Sequence, residues 1–298
     1  MNVVVVGGAG FVGSHLVDRL IADDAEVDVV DDLSRGSLAN LADARSVGGA
    51  LKIHHLDAGS EEFASLIGMR SPDVLYHLAA VPRPVSSPEE LSRSFGLTMA
   101  VVEAARRHRV DKIVVALPAS ALYGRPASRD LPLKEQPLEP RGTRGVIARA
   151  TVDLLMAYRE HEAVEFTALA MASVYGLRQR PDGGVVAAFR EAARHDRVPV
   201  ITGDGRQTRD FLYIDDAVDA LAKAGERGSG LVVNIGTGEQ TSINAVWEAI
   251  GGPDAGEPDY VAAPATEIAR FAVSPVRARI HLAWSPWTSL DDGLARSR

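Results

Sequence analysis

The segment "NVVVVGGAGFVGSHLVDRL" constrains this chain more than any other. An apolar, β-branched run ends in a turn carrying Gly7, Gly10 and Gly13, and a helical pattern follows at once. A strand that is apolar at every position is covered on both faces, which belongs to a parallel sheet and not to a sheet with a wet side. The unit recurs. "EVDVVDD" (26–32), "LKIHHLD" (51–57), "DVLYHLAA" (73–80) and "KIVVALPAS" (112–120) read as further strands, with helical candidates at 12–22, 61–68, 90–108 and 145–161. Alternation of this kind builds right-handed βαβ units, so the expected fold is α/β, a doubly wound parallel (Rossmann) sheet.

The glycine spacing has a physical content. The first glycine allows the tight turn, the second lets backbone approach a pyrophosphate, and the third permits close helix–strand packing at a positive helix N-terminus. The second strand ends in Asp31, about 20 residues on, as the dinucleotide-binding pattern requires. An acid there accepts from ribose hydroxyls and repels a 2′-phosphate, so NAD is expected in preference to NADP.

After about residue 170 the rhythm changes. "FTALAMASVYG" leads into the loop "LRQRPDGG", a helix at about 185–195, "VPVITGDG", "RDFLYIDD" and the strand-like "GLVVNIG". The expected organisation is an NAD-binding domain over 1–168, revisited around 210–236, and a smaller substrate-binding domain over 169–298. No internal repeat or low-complexity segment is present. A net charge of -8 argues against a nucleic-acid partner, which needs a basic footprint. The absence of cysteine excludes disulfides, thiolate metal sites and a cysteine nucleophile. The first strand begins at Asn2, so no signal peptide is expected, and no apolar run approaches membrane-spanning length. A cytoplasmic protein without a membrane partner is the expectation.

"GGAGFVGSHLV", "DDLSRGS", "HLDAGS", "DVLYHLAA", "GDGRQTRDFLYIDDAVDA" and "VVNIGTGEQTSI" together resemble the extended short-chain dehydrogenase/reductase family, in its NDP-sugar epimerase and dehydratase branch. The resemblance covers nearly the whole chain. It implies cofactor contacts from Gly7, Gly10, Phe11, Val12 and Gly13, from Asp31, Asp32, Ser34, Arg35 and Gly36, and from Asp57, Ala58, Leu78, Ala79 and Ala80. It places Arg209 on a substrate diphosphate, where a planar fork of donors fits. The bland alternative for Arg209 is a salt bridge to Asp215 or Asp216. Val200 and Thr202 match positions near the nucleobase. Ala170 and Ser173 stand where the family has Arg and Asn, and "APATEIAR" lacks a second phosphate arginine, for which Arg270 is the nearby substitute.

The same resemblance locates the residues of proton transfer. A tyrosinate takes the proton while hydride passes to NAD, and a lysine lowers its pKa from near 10. Here those positions hold Arg144 and Ala148. The Ser/Thr position holds Ala119, with Ser120 one step on, and the Asn position holds Ser94. None of the six tyrosines is followed four residues later by lysine. Arg144 is no substitute base, since guanidinium stays protonated. Losing a positioned base typically costs ~10²–10⁴-fold in rate.

Three functions follow. The first is a redox-neutral nucleotide-sugar isomerase, for example a pyranose/furanose mutase of a GDP- or UDP-sugar. Arg144 would then clamp diphosphate or a developing oxyanion, and Ser94, Ser120 and Tyr123 would be donors. Asp130, Glu135 or Glu139 would serve as acid/base groups or as ligands of a divalent metal. The second is an NAD-dependent epimerase or dehydratase with a relocated base, for which Tyr123 is the candidate. The third is a non-catalytic protein that binds NAD or a nucleotide sugar. His54, His55 and His77 read as ordinary strand histidines and not as a metal site. Helices 90–108 and 145–161 are expected to pair in a homodimer, with Val146, Ile147, Leu154, Leu155 and Tyr158 leaving apolar surface to cover.

Overall fold

The computed structural model describes residues 1–48, 50–81, 87–135, 138–252 and 256–297. Its first half alternates strictly: β1 (Asn2–Val6), α1 (Phe11–Ala22), β2 (Glu26–Asp31), α2 (Ala42–Val47), β3 (Leu51–His55), α3 (Glu61–Arg70) and β4 (Val74–His77). It continues through α4 (Pro88–Arg107), β5 (Lys112–Pro118), α5 (Ala119–Tyr123), α6 (Gly142–Glu162) and β6 (Phe166–Met171). Shorter elements follow: β7 (Ser173–Tyr175), α7 (Val185–Arg194), β8 (Val200–Thr202), β9 (Thr208–Arg209), β10 (Phe211–Tyr213) and α8 (Ile214–Glu226). The chain ends with β11 (Leu231–Ile235), β12 (Thr241–Ser242), α9 (Ile243–Gly251), β13 (Asp259–Val261), α10 (Val276–His281) and α11 (Leu290–Arg296).

Seven strands form one sheet in the order β11-β6-β5-β4-β1-β2-β3. Every pairing in it is parallel. The β-branched runs explain this directly, because alternate residues of β1 enter two different cores. Val3 and Val5 pack with Leu16, Val17 and Leu20 of α1, and Val4 and Val6 pack with Phe63 and Ile67 of α3. The strand order reverses between β1 and β4, and in doubly wound sheets a crevice opens at that point beyond the strands' carboxyl ends. β11 joins the far edge of the sheet beside β6, so the chain returns to it after a long excursion. The excursion pairs β10 with β7, and the chain after β11 completes two further two-stranded pairs with it, β12 with β9 and β13 with β8.

The first turn shows why glycine is needed. Gly7 has φ +82, and a Cβ on Gly13 would lie 2.1 Å from the Gly7 carbonyl oxygen. Only hydrogen side chains let α1 start this close to β1. The helical stretch 145–161 begins three residues early, at Gly142. Its apolar face is largely core. Ile147 and Leu155 are buried, and Leu154 and Tyr158 are half-buried, which corrects the expectation that they stand open. The exposed apolar groups on this side are Val146 and Met156 of α6 and Met99 of α4.

Candidate functional site

A cleft of about 790 Å³ opens at the carboxyl ends of the sheet strands. Phe11 and Val12 line one end, at the start of α1. Val200, Thr202, Arg209 and Glu267 line the other, with Ser120, Arg144, Ser173 and Phe271 also on its wall.

At the first end the glycine turn and Asp31 are brought together. The Asp31 carboxylate accepts the Ala9 and Leu33 backbone N–H groups, each at 2.9 Å. Burial raises its pKa, and these two bonds oppose the rise. Gly36 is pressed onto it, since a Cβ there would lie 2.7 Å from Asp31 Oδ1. Ser34 donates to Asp32 at 2.6 Å, and Arg35 pairs with Asp182 at 3.2 Å on the loop after β7. Asp57 accepts its own loop's Gly59 N–H, while Ala58 is buried beside it. Leu78, Ala79 and Ala80 run past the glycine turn, because β4 pairs with β1 up to His77 opposite Val6. The Ala79 nitrogen would stand 3.4 Å from a Cβ on Gly7. A cradle without Cβ atoms at the helix start, closed by a carboxylate, has the shape and donor set for a dinucleotide.

The loop after β7 forms a strap over this end. The Leu177 carbonyl accepts from His15 Nε2 at 3.0 Å, and Arg178 donates to Asp18 and Asp43, both at 2.6 Å. Gln179, Pro181 and Asp182 continue along the cleft. Burial lowers the His15 pKa, with Arg178 adding to the fall. Nothing in the sequence flags these ties, because they join residues more than 130 positions apart.

Arg209, on β9, faces the cleft and is held by Glu267, not by Asp215 or Asp216. Two of its further bonds go to the Thr208 and Ile268 carbonyls, each at 2.7 Å. Asp216 is buried instead against Thr288, whose N–H and hydroxyl it accepts at 3.1 and 3.0 Å. A residue that sequence reasoning missed, Asp210, fixes the neighbourhood of Arg209. Its buried carboxylate accepts the backbone N–H groups of Thr237, Gly238 and Val273 and the Thr237 hydroxyl. The signal was present in "RD" followed by "GTG". Arg270 is exposed and is not among the residues of the cleft wall.

Of the proton-transfer positions implied by the resemblance, two line the cleft. α6 presses its first turn against α5: a Cβ on Gly145 would lie 2.8 Å from the Ala121 carbonyl oxygen. Arg144 and Ser120 therefore share one wall of the cleft. Ala119 and Ala148 are fully buried behind it. Tyr123 is corrected: its hydroxyl donates to Asn234 Oδ1 at 2.7 Å, and it lines a separate cavity with Glu135 and Arg277. Burial raises its pKa, with the Glu135 charge adding to the rise. Ser94 donates to the Ala80 carbonyl at 3.0 Å and does not reach the cleft wall. The loop acids are corrected as well. Glu135 accepts the Asn234 N–H at 2.9 Å and faces Arg277, while Asp130 and Glu139 are exposed away from the cleft. Among the described residues no group of three or more His, Asp or Glu is placed to hold a metal ion. His54 binds Asp28 at 2.7 Å, His55 meets the Asp32 carbonyl, and His77 is buried against Thr98.

A model of the NAD dependent epimerase/dehydratase family matches residues 3–236. The chain belongs to this family. Its relatives in the family include a UDP-glucose 4-epimerase of Mycolicibacterium smegmatis, 36% identical over 312 residues, spanning 100% of this chain and 97% of that one. A Thermotoga maritima UDP-glucose 4-epimerase solved with UDP-glucose superposes with a TM-score of 0.91 at 32% identity, covering 100% and 97% of the two chains. A Thermus thermophilus UDP-glucose 4-epimerase solved with NAD gives a TM-score of 0.87 at 26% identity, covering 100% and 97%. The seven-stranded parallel sheet is thus the epimerase/dehydratase family's Rossmann-like fold, in an enzyme family. Among the described residues no helix is long and apolar enough to cross a membrane.

Proposed function

We propose that this protein holds NAD and a nucleoside-diphosphate sugar in the one cleft and isomerises the sugar by a redox-neutral route. Arg144 carries the reading. It stands on the cleft wall beside Ser120, with Ala148 sealed behind it, where tyrosine-driven chemistry needs a phenol and an ammonium. Guanidinium does not give up its proton in the working pH range, so this position offers fixed charge and no base. Tyr123 is no relocated base, because its hydroxyl is committed to Asn234 and its pKa is raised by burial.

In this reading the glycine turn, Asp31 and Leu78–Ala80 hold the dinucleotide, and Asp31 selects the form without a 2′-phosphate. NAD, when bound, would supply a hydride acceptor, which the redox-neutral route leaves unused and the second reading below requires. The residues of 169–298 supply the nucleotide end, with Arg209 on the diphosphate and Val200 and Thr202 beside the base. A pyranose/furanose rearrangement asks for polarised oxygens and no ketone, and Arg144, Ser120 and Ser173 offer a cation and two hydroxyls on the wall.

A second reading, NAD-dependent 4-epimerisation with a different base, is favoured by the full-length kinship with the Mycolicibacterium UDP-glucose 4-epimerase. One experiment separates the two. Purified protein is incubated with UDP-, GDP- and TDP-hexoses, each also deuterated at C4, and followed by NMR. The redox-neutral route gives a ring isomer at equal rates from both isotopomers. A C4 epimer with a large primary isotope effect moves the assignment to the second reading. Tight binding without any product leaves a binding protein.

A further inference from the structure

We infer that Asp182, on the strap, is a second residue selecting NAD over its 2′-phosphorylated form, and that it acts through Arg35; the inference rests on the dinucleotide part of the reading above. The argument begins at Asp31. Gly36 packs so closely on this carboxylate that a Cβ there would lie 2.7 Å from Oδ1. Arg35 is the residue just before Gly36, so its side chain starts from the rim of the ribose end. A nearby arginine is what accommodates a 2′-phosphate in dinucleotide folds, because its planar fork matches phosphate oxygens and its charge offsets theirs. Asp31 and Arg35 therefore pull in opposite directions. The carboxylate repels the extra phosphate, and a free guanidinium beside it would offset part of that repulsion.

The strap takes the guanidinium out of play. Arg35 Nη2 meets Asp182 Oδ2 at 3.2 Å, across 147 positions of sequence. The other carboxylate oxygen, Oδ1, accepts from Arg180 Nε at 3.1 Å. Arg180, and Arg35 with it, holds the Asp182 carboxyl below the usual carboxylate range, so the acid stays charged. Asp32, the acid nearer in sequence, is bound instead to the Ser34 N–H and hydroxyl, at 3.0 and 2.6 Å. A 2′-phosphate can use Arg35 only by taking it from Asp182. The pair is open to solvent, with the two side chains 42% and 53% exposed, and exposed pairs are worth little. Asp182 thus adds a small, separate margin to the larger one set by Asp31.

Fluorescence titration with NADH and NADPH reads both margins. The parent should prefer NADH. Asp182→Asn keeps the shape of the side chain and removes its charge. It should narrow the preference by about two- to fivefold, the worth of an exposed pair, and do so by tightening NADPH. Removing a carboxylate also lessens repulsion directly, so the same change is made in Arg35→Gln. There it should leave NADPH affinity where R35Q alone puts it. A preference that does not narrow in D182N, one that narrows only by loss of NADH, or an equal gain of NADPH in the R35Q background overturns the inference alone. A parent that prefers NADPH, or binds neither nucleotide, overturns it together with the reading of Asp31 or of the whole dinucleotide site.

Discussion

Arg209 and Arg144 are both cations of the cleft wall, and the structure gives them different work. Arg209 is locked by Glu267 and by two carbonyls, above a buried carboxylate, Asp210, that ties down the chain around it. Its fork is thereby held in one orientation. Arg209→Gln should weaken UDP binding by about 10–100-fold, the usual worth of a hydrogen bond to a charged group. Fluorescence or calorimetric titration would check this, and an unchanged affinity would remove Arg209 from the diphosphate. Arg144 poses the opposite experiment. Rebuilding the tyrosine–lysine pair as R144Y/A148K should lower native turnover and not raise it, since it deletes the fixed cation and sets a phenol against the sugar. A148K alone should lower the melting temperature, because position 148 is fully buried and the new ammonium must be desolvated. A faster enzyme from the double variant would restore the hydride-transfer reading.

The end of β4 joins the sheet to α4 through one buried histidine. Thr98 Oγ1 gives its proton to the Ser94 carbonyl, so His77 Nε2–H must donate to Thr98, at 3.0 Å, leaving Nδ1 bare and without a partner among the described residues. Burial holds its pKa down to about 3, against 6.5 in an open chain. A depressed value means a neutral native histidine. Its contribution to stability is complete above pH 6.5 and is lost as pH falls from there toward 3. The loss is up to about 1.4 kcal/mol per pH unit for one proton taken up on unfolding. Urea midpoints at pH 7 and pH 5 should therefore fall further for the parent than for His77→Gln, and equal falls would refute the assignment. Elements of this length were legible beforehand. β1 and β4 to β6 announce themselves because they are mostly apolar runs with both faces largely buried, whereas β2 and β3 interleave charged and polar residues. β9 and β12 are two residues each and carry no periodicity, so only their partners define them. The alternative offered for Arg209, a salt bridge to Asp215 or Asp216, did not name its actual partner, because Glu267 lies 58 residues away in sequence. Tyr123 was misread because the facing of a five-residue helix is set by packing, not by pattern.

At the scale of the molecule, α4 and α6 pack on each other and still show Met99, Val146 and Met156 to solvent. The expected dimer rests on that smaller patch, so Val146→Glu should convert a dimeric mass in light scattering to a monomeric one. A monomeric parent at micromolar concentration would end the idea. The strap has a consequence of another kind. It runs along the cleft and is fastened to α1 by His15 and by Arg178 through Asp18, and to α2 by Arg178 through Asp43. If the dinucleotide of the proposed function lies beneath it, its exit requires those ties to let go together. On the proposed function, such a dinucleotide would be released at a rate set by the opening of the strap. A pulse of labelled NAD followed by an unlabelled chase would read that clock directly. Arg178→Gln should shorten it at least severalfold, and Asp18→Asn should do so to a lesser degree, because each removes ties from the same knot. If both variants hold their label as long as the parent, the strap is only a decoration on the rim.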